Sequence, residues 1–244
     1  MGVIPRIVLT FLAVSGVAHA RDLAQLGPLR ASAGEAVSGY LEVPALGDNG
    51  ARIPVSLVRG TGKGPVLVLV AGTHGYEYPG ISALQRLRQS IDPRALRGTL
   101  ILVHIANPPS FYGRTIYTSP ADGKNLNRVF PGRPDGTLSE RIAYEITTQV
   151  IAQADFLVDL HAGDGNEALR PYVYMPVTGD AQLDAATRGM ALAFGLDHIV
   201  IDAAQIRPHE ATQFVDQTAL SRGVPAITTE TGQLGQNDDR SIAL

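Results

Sequence analysis

The 244-residue chain contains no cysteine, no tryptophan and only three methionines. The lack of cysteine excludes disulfide bonds, thiol catalysis and thiolate metal ligands. It leaves an oxidising compartment open, because a chain of this length can be stable without disulfides. Positive charge is also scarce, with 20 basic against 23 acidic residues and a net charge of −3. Since nucleic-acid binding calls for a basic face, we do not expect nucleic acid as a partner.

Targeting features are confined to the N-terminus. A basic start at residues 1–6 precedes an apolar stretch at 7–17 and Ala18-His19-Ala20, which has the small-x-small pattern of a cleavage site. Residues 1–20 therefore predict a secretory signal, and 21–244 a periplasmic or secreted domain; the alternative is a buried N-terminal helix or strand. A bilayer span requires about 20 apolar residues, so we expect no membrane span after the signal is removed.

The hydrophobic pattern after the signal predicts the fold class. Residues 66–70 and 99–105 are apolar runs without alternation, as in strands covered on both faces, and residues 81–90 between them have helical spacing. These three segments form a βαβ unit, which predicts an α/β fold with a mixed, mainly parallel sheet and helices on both faces. Further strands are predicted at 40–43, 53–58, 156–160, 199–201 and 225–229, and further helices at 138–153, 181–194 and 210–222.

Three strand ends carry residues that would hold a metal. His74-Gly75-Tyr76-Glu77 follows the strand at 66–70, Asp159-Leu160-His161 follows the apolar residues 156–158, and Glu230 follows the strand at 225–229. The carboxyl ends of parallel strands converge at one edge of an open sheet, where ligands bind. Two histidines and a carboxylate with a free fourth position are the ligands of a catalytic zinc, and a further glutamate can act as base.

Each of these residues also has an ordinary structural interpretation. His74 and Glu77 are three residues apart and can face the same side, or can cap backbone groups at a strand-to-helix turn. His161 alone would fit a hydrogen-bonded core histidine. Asp159 shares its face of the strand and would either orient a ligating imidazole or cap a nearby helix or loop.

The remaining histidines lack a partner at ligand spacing. His104 lies within a predicted buried strand and is interpreted as a core histidine whose polar atoms are satisfied. His198 and His209 are interpreted as loop residues. We therefore expect none of these three to bind the metal.

Residues 106–137 form a long polar connection, and loops of this length in a compact domain are usually functional or disordered. Within it, Arg128 can present its planar guanidinium to a substrate carboxylate, with an adjacent asparagine amide donating a further hydrogen bond. The alternative is a surface turn with a solvated arginine. The buried-looking Val129-Phe130 that follows argues against that alternative.

Over roughly residues 65–235 the chain resembles the succinylglutamate desuccinylase and aspartoacylase family, relatives of the zinc metallocarboxypeptidases. Four motifs in the family's order carry the resemblance: Gly72-Thr73-His74-Gly75-Tyr76-Glu77, Asn125-Leu126-Asn127-Arg128 with Phe130-Pro131-Gly132, Asp159-Leu160-His161, and Thr229-Glu230-Thr231-Gly232. The resemblance implies a zinc carboxypeptidase-like fold and metal-assisted hydrolysis of an amide.

The resemblance also implies residue roles. His74, Glu77 and His161 would bind one Zn²⁺ per chain. Asn127 and Arg128 would hold a carboxylate of a small-molecule substrate, with Glu230 as general base and acid. The favoured activity is deacylation of an N-acyl amino acid. Two alternatives stay open: a periplasmic metallocarboxypeptidase acting on peptides, and a non-catalytic domain that binds zinc or carboxylates.

Two departures from the family pattern accompany the resemblance. Family members commonly continue well beyond the catalytic glutamate, often into a β-rich C-terminal domain, whereas only residues 231–244 follow Glu230. We therefore expect a domain lacking its C-terminal part, with an uncovered apolar face beside residues 225–229 or that face paired with another chain. The arginine that polarises the scissile carbonyl has no clear counterpart, and Arg114 is the candidate.

Overall fold

The computed structural model describes residues 23–203 and 206–244, so the predicted secretory signal lies outside the described residues. The described strands are β1 (Gln25–Leu26), β2 (Leu29–Arg30), β3 (Glu35–Val43), β4 (Ala51–Arg59), β5 (Gly62–Ala71), β6 (Arg97–Val103), β7 (Phe156–His161), β8 (Tyr172–Pro176), β9 (Ile199–Asp202) and β10 (Ala226–Glu230). The described α-helices are α1 (Tyr78–Ser90), α2 (Pro108–Gly113), α3 (Leu138–Glu145), α4 (Ala181–Phe194), α5 (Val215–Leu220) and α6 (Asp239–Ala243).

Eight strands form one mixed sheet in the order β3-β4-β6-β5-β7-β10-β8-β9. The central strands β6, β5, β7 and β10 run parallel to one another, and β8 and β9 are also parallel to each other. Strands β3 and β4 add an antiparallel meander at one edge, and β8 is antiparallel to β10. The predicted α/β class with a mainly parallel sheet is confirmed.

Helices cover both faces of this sheet and form a separate apolar core with each. On one face, α3 and α5 bury side chains such as Ile142 and Ala219 against β5 and β7. On the other face, α1 and α4 bury side chains such as Leu84 and Ala191 against β6 and β10. Because both faces are covered, the central strands read as continuous apolar runs, which is why their sequences show no alternation.

The predicted helices and strands match the structure well in the centre of the sheet and less well around it. The predicted helix at 181–194 has the bounds of α4, and the helix at 138–153 continues through a π-helical turn at Ile146–Val150 and a 3-10 turn at Ile151–Gln153. The predicted helix at 210–222 is wrong at its start, because only Val215–Leu220 is α-helical. Thr212 and Phe214 have extended backbones at the ends of short turns, which interrupt the helical pattern.

The expectation of an uncovered apolar face beside residues 225–229 is also wrong. Strand β10 lies inside the sheet, between β7 and β8, and Ala226 and Ile227 are buried. Strand β8, which the sequence pattern did not predict, supplies the missing neighbour, and α4 and α5 pack over β10. Across the described part of the chain, no helix is long and apolar enough to cross a membrane.

Candidate metal and catalytic site

Three adjacent parallel strands bring the predicted site residues to one edge of the sheet. Strand β5 ends at Ala71, three residues before His74, while β7 ends at His161 and β10 at Glu230. His161 and Glu230 are register partners on neighbouring strands. The convergence expected for carboxyl ends of parallel strands is therefore present.

The backbone between β5 and α1 turns in a way that glycine permits. Gly72 has φ +70°, a conformation that other residues rarely adopt, and a Cβ on Gly75 would lie 2.2 Å from the carbonyl oxygen of Ser110. Asn107 fixes the turn from outside: its backbone N–H donates to Gly72 O (2.9 Å) and its side-chain amide to Thr73 O (3.3 Å). These two hydrogen bonds hold the loop that carries His74.

His74, Glu77 and His161 form a buried cluster that could hold a metal ion. One ligand atom from each lies within 4.8 Å of the other two. The Nδ1 atom of His74 is 2.6 Å from Glu77 Oε1, and the Nδ1 atom of His161 is 2.8 Å from Glu77 Oε2. Both histidines therefore direct the same ring atom, Nδ1, at the carboxylate.

Glu77 occupies the N-cap position of α1 but makes no side-chain capping hydrogen bond. The structure thereby rules out the capping interpretation of this residue. Burial would raise the pKa of Glu77, but the charges of His161 and His74 outweigh it and lower the pKa to about 2. Its buried Oε2 atom faces His161 Nδ1 at 2.8 Å and accepts no hydrogen bond from any other residue among 23–203 and 206–244.

Second hydrogen bonds fix the orientation of both imidazoles. His161 Nε2 lies 2.9 Å from Asp159 Oδ2, and this carboxylate is completely buried. His74 Nε2 lies 3.1 Å from Asn125 Oδ1. Metal-binding histidines usually donate their second N–H in this manner, which leaves the other nitrogen free for the ion.

Asn127 and Arg128 lie beside the cluster, in the long connection between β6 and α3. The Asn127 Oδ1 atom accepts a hydrogen bond from Val215 N (3.0 Å), which turns its amide nitrogen towards His161 Nε2 at 3.3 Å. The His161 N–H is already directed at Asp159, so the Asn127 amide keeps a hydrogen to donate. The Arg128 guanidinium lies 4.6 Å from the centre of the Phe214 ring and donates to Asn127 O (2.7 Å). It is exposed to the cavity rather than folded into the core.

Glu230 presents a mostly buried carboxyl group whose Oε2 atom accepts no hydrogen bond within the described residues. Burial raises the pKa of Glu230 to about 8, and the carboxylates of Glu77 and Glu167 add to this effect while the charge of His161 opposes it. A carboxyl group with such a pKa can both take up and return a proton near neutral pH.

These residues line one cavity of about 670 Å³. Its charged and titratable lining side chains are His74, Glu77, Tyr117, Arg128, His161, Glu167, Tyr174, Asp202, Arg207, Asp216 and Glu230. No sequence pattern singled out Tyr117, Glu167, Arg207 or Asp216, because each lies in an irregular segment or a short helix without a recognisable motif. Arg114, the predicted carbonyl-polarising arginine, ends α2 with an exposed side chain and is not among the lining residues.

The other histidines lie away from the cluster. His104 follows β6 and hydrogen-bonds Ser56 Oγ through Nε2 (2.8 Å), while its buried Nδ1 has no partner in the described part of the chain. It is thus a core histidine in which only one of the two ring nitrogens makes a hydrogen bond to the described residues. His198 and His209 are exposed and pair with their neighbours Asp197 and Glu210.

Comparison with known proteins places the chain in a family. Residues 63–243 match the model of the succinylglutamate desuccinylase/aspartoacylase catalytic domain. An N-alpha-acetyl-L-2,4-diaminobutyric acid deacetylase from Halomonas elongata is 34% identical over 211 residues, covering 84% of this chain and 60% of the relative. The chain thus spans less than two thirds of that relative's length.

Solved structures of related proteins support the same family assignment. A succinylglutamate desuccinylase from Silicibacter sp. TM1040 is 31% identical with a TM-score of 0.77, covering 85% of this chain and 63% of the other. The product-bound ectoine utilization protein EutE (DoeB) from Ruegeria pomeroyi is 30% identical with a TM-score of 0.79, covering 88% and 65%. A putative metallopeptidase from Shewanella denitrificans, 18% identical, shares the fold. Together with the catalytic-domain match, these likenesses establish that the chain belongs to the succinylglutamate desuccinylase/aspartoacylase family.

Proposed function

We propose that this protein is a zinc-dependent amidohydrolase that removes the acyl group from an N-acyl amino acid. The observation that carries the proposal is the arrangement of His74, Glu77 and His161 beside Glu230 at the ends of three adjacent strands. A site that only binds a metal has no need of a second, uncoordinated carboxyl group beside its three ligands. Glu230 supplies such a group, in the same cavity.

The donor set fits zinc. Two imidazoles and one carboxylate leave a fourth tetrahedral position open, as in catalytic rather than structural zinc sites. The buried carboxylate of Glu77 faces the Nδ1 atoms of His74 (2.6 Å) and His161 (2.8 Å), so donor atoms of all three residues converge where a cation would bind. When bound, zinc would act as a Lewis acid and lower the pKa of a coordinated water to about 7.

The chain's own residues would provide the proton transfer. Glu230 would accept the proton of the attacking water and return it to the nitrogen of the leaving amino acid. In the metal-free chain burial raises the pKa of Glu230, which favours holding the proton between the two steps. Asp159 and Asn125 would keep both imidazoles oriented throughout.

Arg128 and Asn127 would bind the substrate's free carboxylate. The guanidinium lies at the cavity wall on the Phe214 ring, and the Asn127 amide keeps a hydrogen directed inwards. Arginine is well suited to a carboxylate because its planar fork can donate two parallel hydrogen bonds. The names of the deacetylase and desuccinylase relatives support an N-acyl amino acid as the substrate class.

A hydrolysis screen tests the proposed function. The zinc-loaded chain would be incubated with N-acetyl and N-succinyl amino acids and with short peptides, and the released amine would be quantified. We expect turnover of at least one N-acyl amino acid, and its loss on chelation with recovery on adding zinc. Turnover of peptides alone would favour the carboxypeptidase alternative, and no turnover with zinc bound would favour a binding domain.

A further inference from the structure

The Arg128 side chain makes few polar contacts for a residue assigned to substrate binding. It is exposed at the cavity wall, and within the described residues its only hydrogen bond is the one to the neighbouring Asn127 O (2.7 Å), with no ion pair. A guanidinium has five N–H donors, so most of them stay available to a substrate. A long side chain held by one such hydrogen bond would sample several rotamers, and fixing it on binding would cost affinity.

The contact that can fix the guanidinium is the face of the Phe214 ring. The centre of the Arg128 guanidinium lies 4.6 Å from the centre of that ring, a distance at which a cation is attracted to an aromatic face. A carboxylate in this place would also hold the guanidinium, but it would neutralise the charge and compete with the substrate carboxylate. An aromatic ring holds the cation and leaves its charge and its N–H groups for the substrate.

Phe214 is itself fixed by hydrogen bonds of the surrounding turn. It has an extended backbone immediately before α5, and its carbonyl oxygen accepts both the backbone N–H (3.0 Å) and the hydroxyl group (2.8 Å) of Thr218. The Oγ1 atom of Thr218 lies 2.7 Å from Thr212 Oγ1, and both threonines are buried. The turn that carries the ring is therefore closed by hydrogen bonds between residues on either side of Phe214.

The next residue of this turn holds the other proposed carboxylate-binding residue. Val215, which is completely buried in the core, donates its backbone N–H to Asn127 Oδ1 (3.0 Å) across 88 residues of sequence. Two consecutive residues of one turn therefore contact Arg128 and Asn127, which are also consecutive. The same turn thus positions both groups that are assigned to the substrate carboxylate.

We propose that Phe214 is a positioning residue that holds the Arg128 guanidinium in the orientation in which it binds the substrate carboxylate. This rests on the proposed function, because it assigns that carboxylate to Arg128. Phe214 acts through Arg128, by restricting its rotamers before the substrate arrives, and has no part in the proton transfer. Loss of the ring should therefore weaken the binding of substrates with a free carboxylate and leave the chemical step nearly unchanged.

Nuclear magnetic resonance of the arginine side chains tests the positioning without a substrate. The zinc-loaded chain would be labelled with nitrogen-15, and the Arg128 Nε–H signal would be assigned by its absence in Arg128→Lys. We expect restricted motion of this group in the wild type and in Phe214→Tyr, which keeps the aromatic face, and increased motion in Phe214→Leu. The control Phe194→Leu removes a partly buried ring of α4 that does not line the cavity, and should leave the Arg128 motion unchanged.

Kinetics relate this orientation to substrate binding. On an N-acyl amino acid that the wild type hydrolyses, Phe214→Leu should raise KM about 3- to 10-fold with kcat nearly unchanged, as expected for the loss of a partly exposed cation–π contact. The KM for the carboxamide analogue should change little, and Phe214→Tyr should stay close to the wild type. In an Arg128→Ala background, Phe214→Leu should raise KM no further, because the side chain on which the ring acts is gone.

The two measurements separate this inference from the proposed function. A mobile Arg128 side chain in the wild type would overturn the role of Phe214 even if Phe214→Leu failed to fold, as would unchanged Arg128 motion in a folded Phe214→Leu. The same rise in KM with and without the Arg128 guanidinium would also overturn it, because the ring would then act through general packing. Phe214-dependent ordering of Arg128 in a chain that hydrolyses no N-acyl amino acid would contradict the proposed function alone.

Discussion

His161 and Glu230 are the last residues of two adjacent parallel strands and are paired in register across them. The sheet backbone therefore fixes the spacing between a proposed metal ligand and the proposed base. Strands are stiffer supports than loops, and catalytic groups must be held within a fraction of an ångström of their working positions.

Removing a metal ligand should empty the site. His74→Ala and His161→Ala each delete one of three protein ligands, and we expect the purified variants to lose most of the one zinc per chain expected for the wild type. Metal analysis by mass spectrometry measures this directly. His104→Ala, which deletes a histidine hydrogen-bonded to Ser56 instead, should keep the wild-type stoichiometry. Full occupancy in both ligand variants would refute the assignment.

Asp159→Asn should weaken zinc binding without abolishing it. The carboxylate accepts the Nε2–H of His161 and so orients the ring and increases its basicity, and loss of such a partner typically costs about 10- to 100-fold in metal affinity. Competition with a chromogenic chelator would give the two dissociation constants. Asp122→Asn is a suitable control, because this carboxylate instead caps α3 through Ser139. Equal zinc affinity in Asp159→Asn and wild type would leave Asp159 with a purely structural role.

Arg128→Ala should act on substrate binding more than on chemistry. We expect KM to rise for substrates with a free carboxylate while kcat changes less, because the guanidinium would contact the substrate equally in the ground and transition states. For carboxamide analogues of the same substrates, we expect the substitution to change KM little. If the variant discriminated between carboxylate and carboxamide substrates as well as the wild type does, the carboxylate would have to bind elsewhere.

His104 should make the metal-free protein less stable in mild acid. Burial lowers the pKa of His104 to about 4, from an ordinary value of 6.5. Between these pH values the unfolded chain binds a proton that the folded chain does not, so the free energy of unfolding falls as pH decreases through this window. We expect a contribution of about 1–3 kcal/mol between pH 7 and pH 4, because one pKa unit corresponds to 1.36 kcal/mol and the ring is only partly buried.

Urea denaturation at pH 7 and pH 4.5, with chelator present throughout, would measure this contribution. The difference in unfolding free energy between the two pH values should shrink in His104→Gln. His198→Gln, at an exposed position, is the matched control and should keep the wild-type difference. An identical pH dependence in His104→Gln and wild type would show that the histidine titrates normally.

The residues whose convergence at one sheet edge the sequence predicted share a physical origin. Strands β5, β7 and β10 are covered on both faces, so their apolar runs could be recognised and their carboxyl ends located to within a residue or two. His161 and Glu230, at those ends, and His74, three residues beyond one of them, were then brought together by the topology. The motif at Asn127-Arg128 likewise reached the cavity despite lying in an irregular connection.

What the sequence could not predict depends on contacts between distant segments. Asp216 falls in a helical pattern where an acidic residue is usually solvated, and only its packing against Thr228 of β10 makes it buried. The start of α5 was misplaced because Thr212 and Phe214 are extended despite a helix-like periodicity. Arg207 enters the cavity from a connection without periodicity or motif, whereas Arg114, in the loop that was predicted to be functional, is exposed outside it.

The central claim is that Glu230 transfers the proton in a zinc-dependent deacylation. The most direct test compares kcat of zinc-loaded wild type and Glu230→Gln on an N-acyl amino acid that the wild type hydrolyses, with zinc content measured on the same samples. The substitution keeps the shape of the side chain but removes the titratable group. The account predicts one zinc per chain in both proteins and a fall in kcat of about 10²- to 10⁴-fold. A Glu230→Gln variant that retained zinc and turned over at nearly the wild-type rate would contradict it.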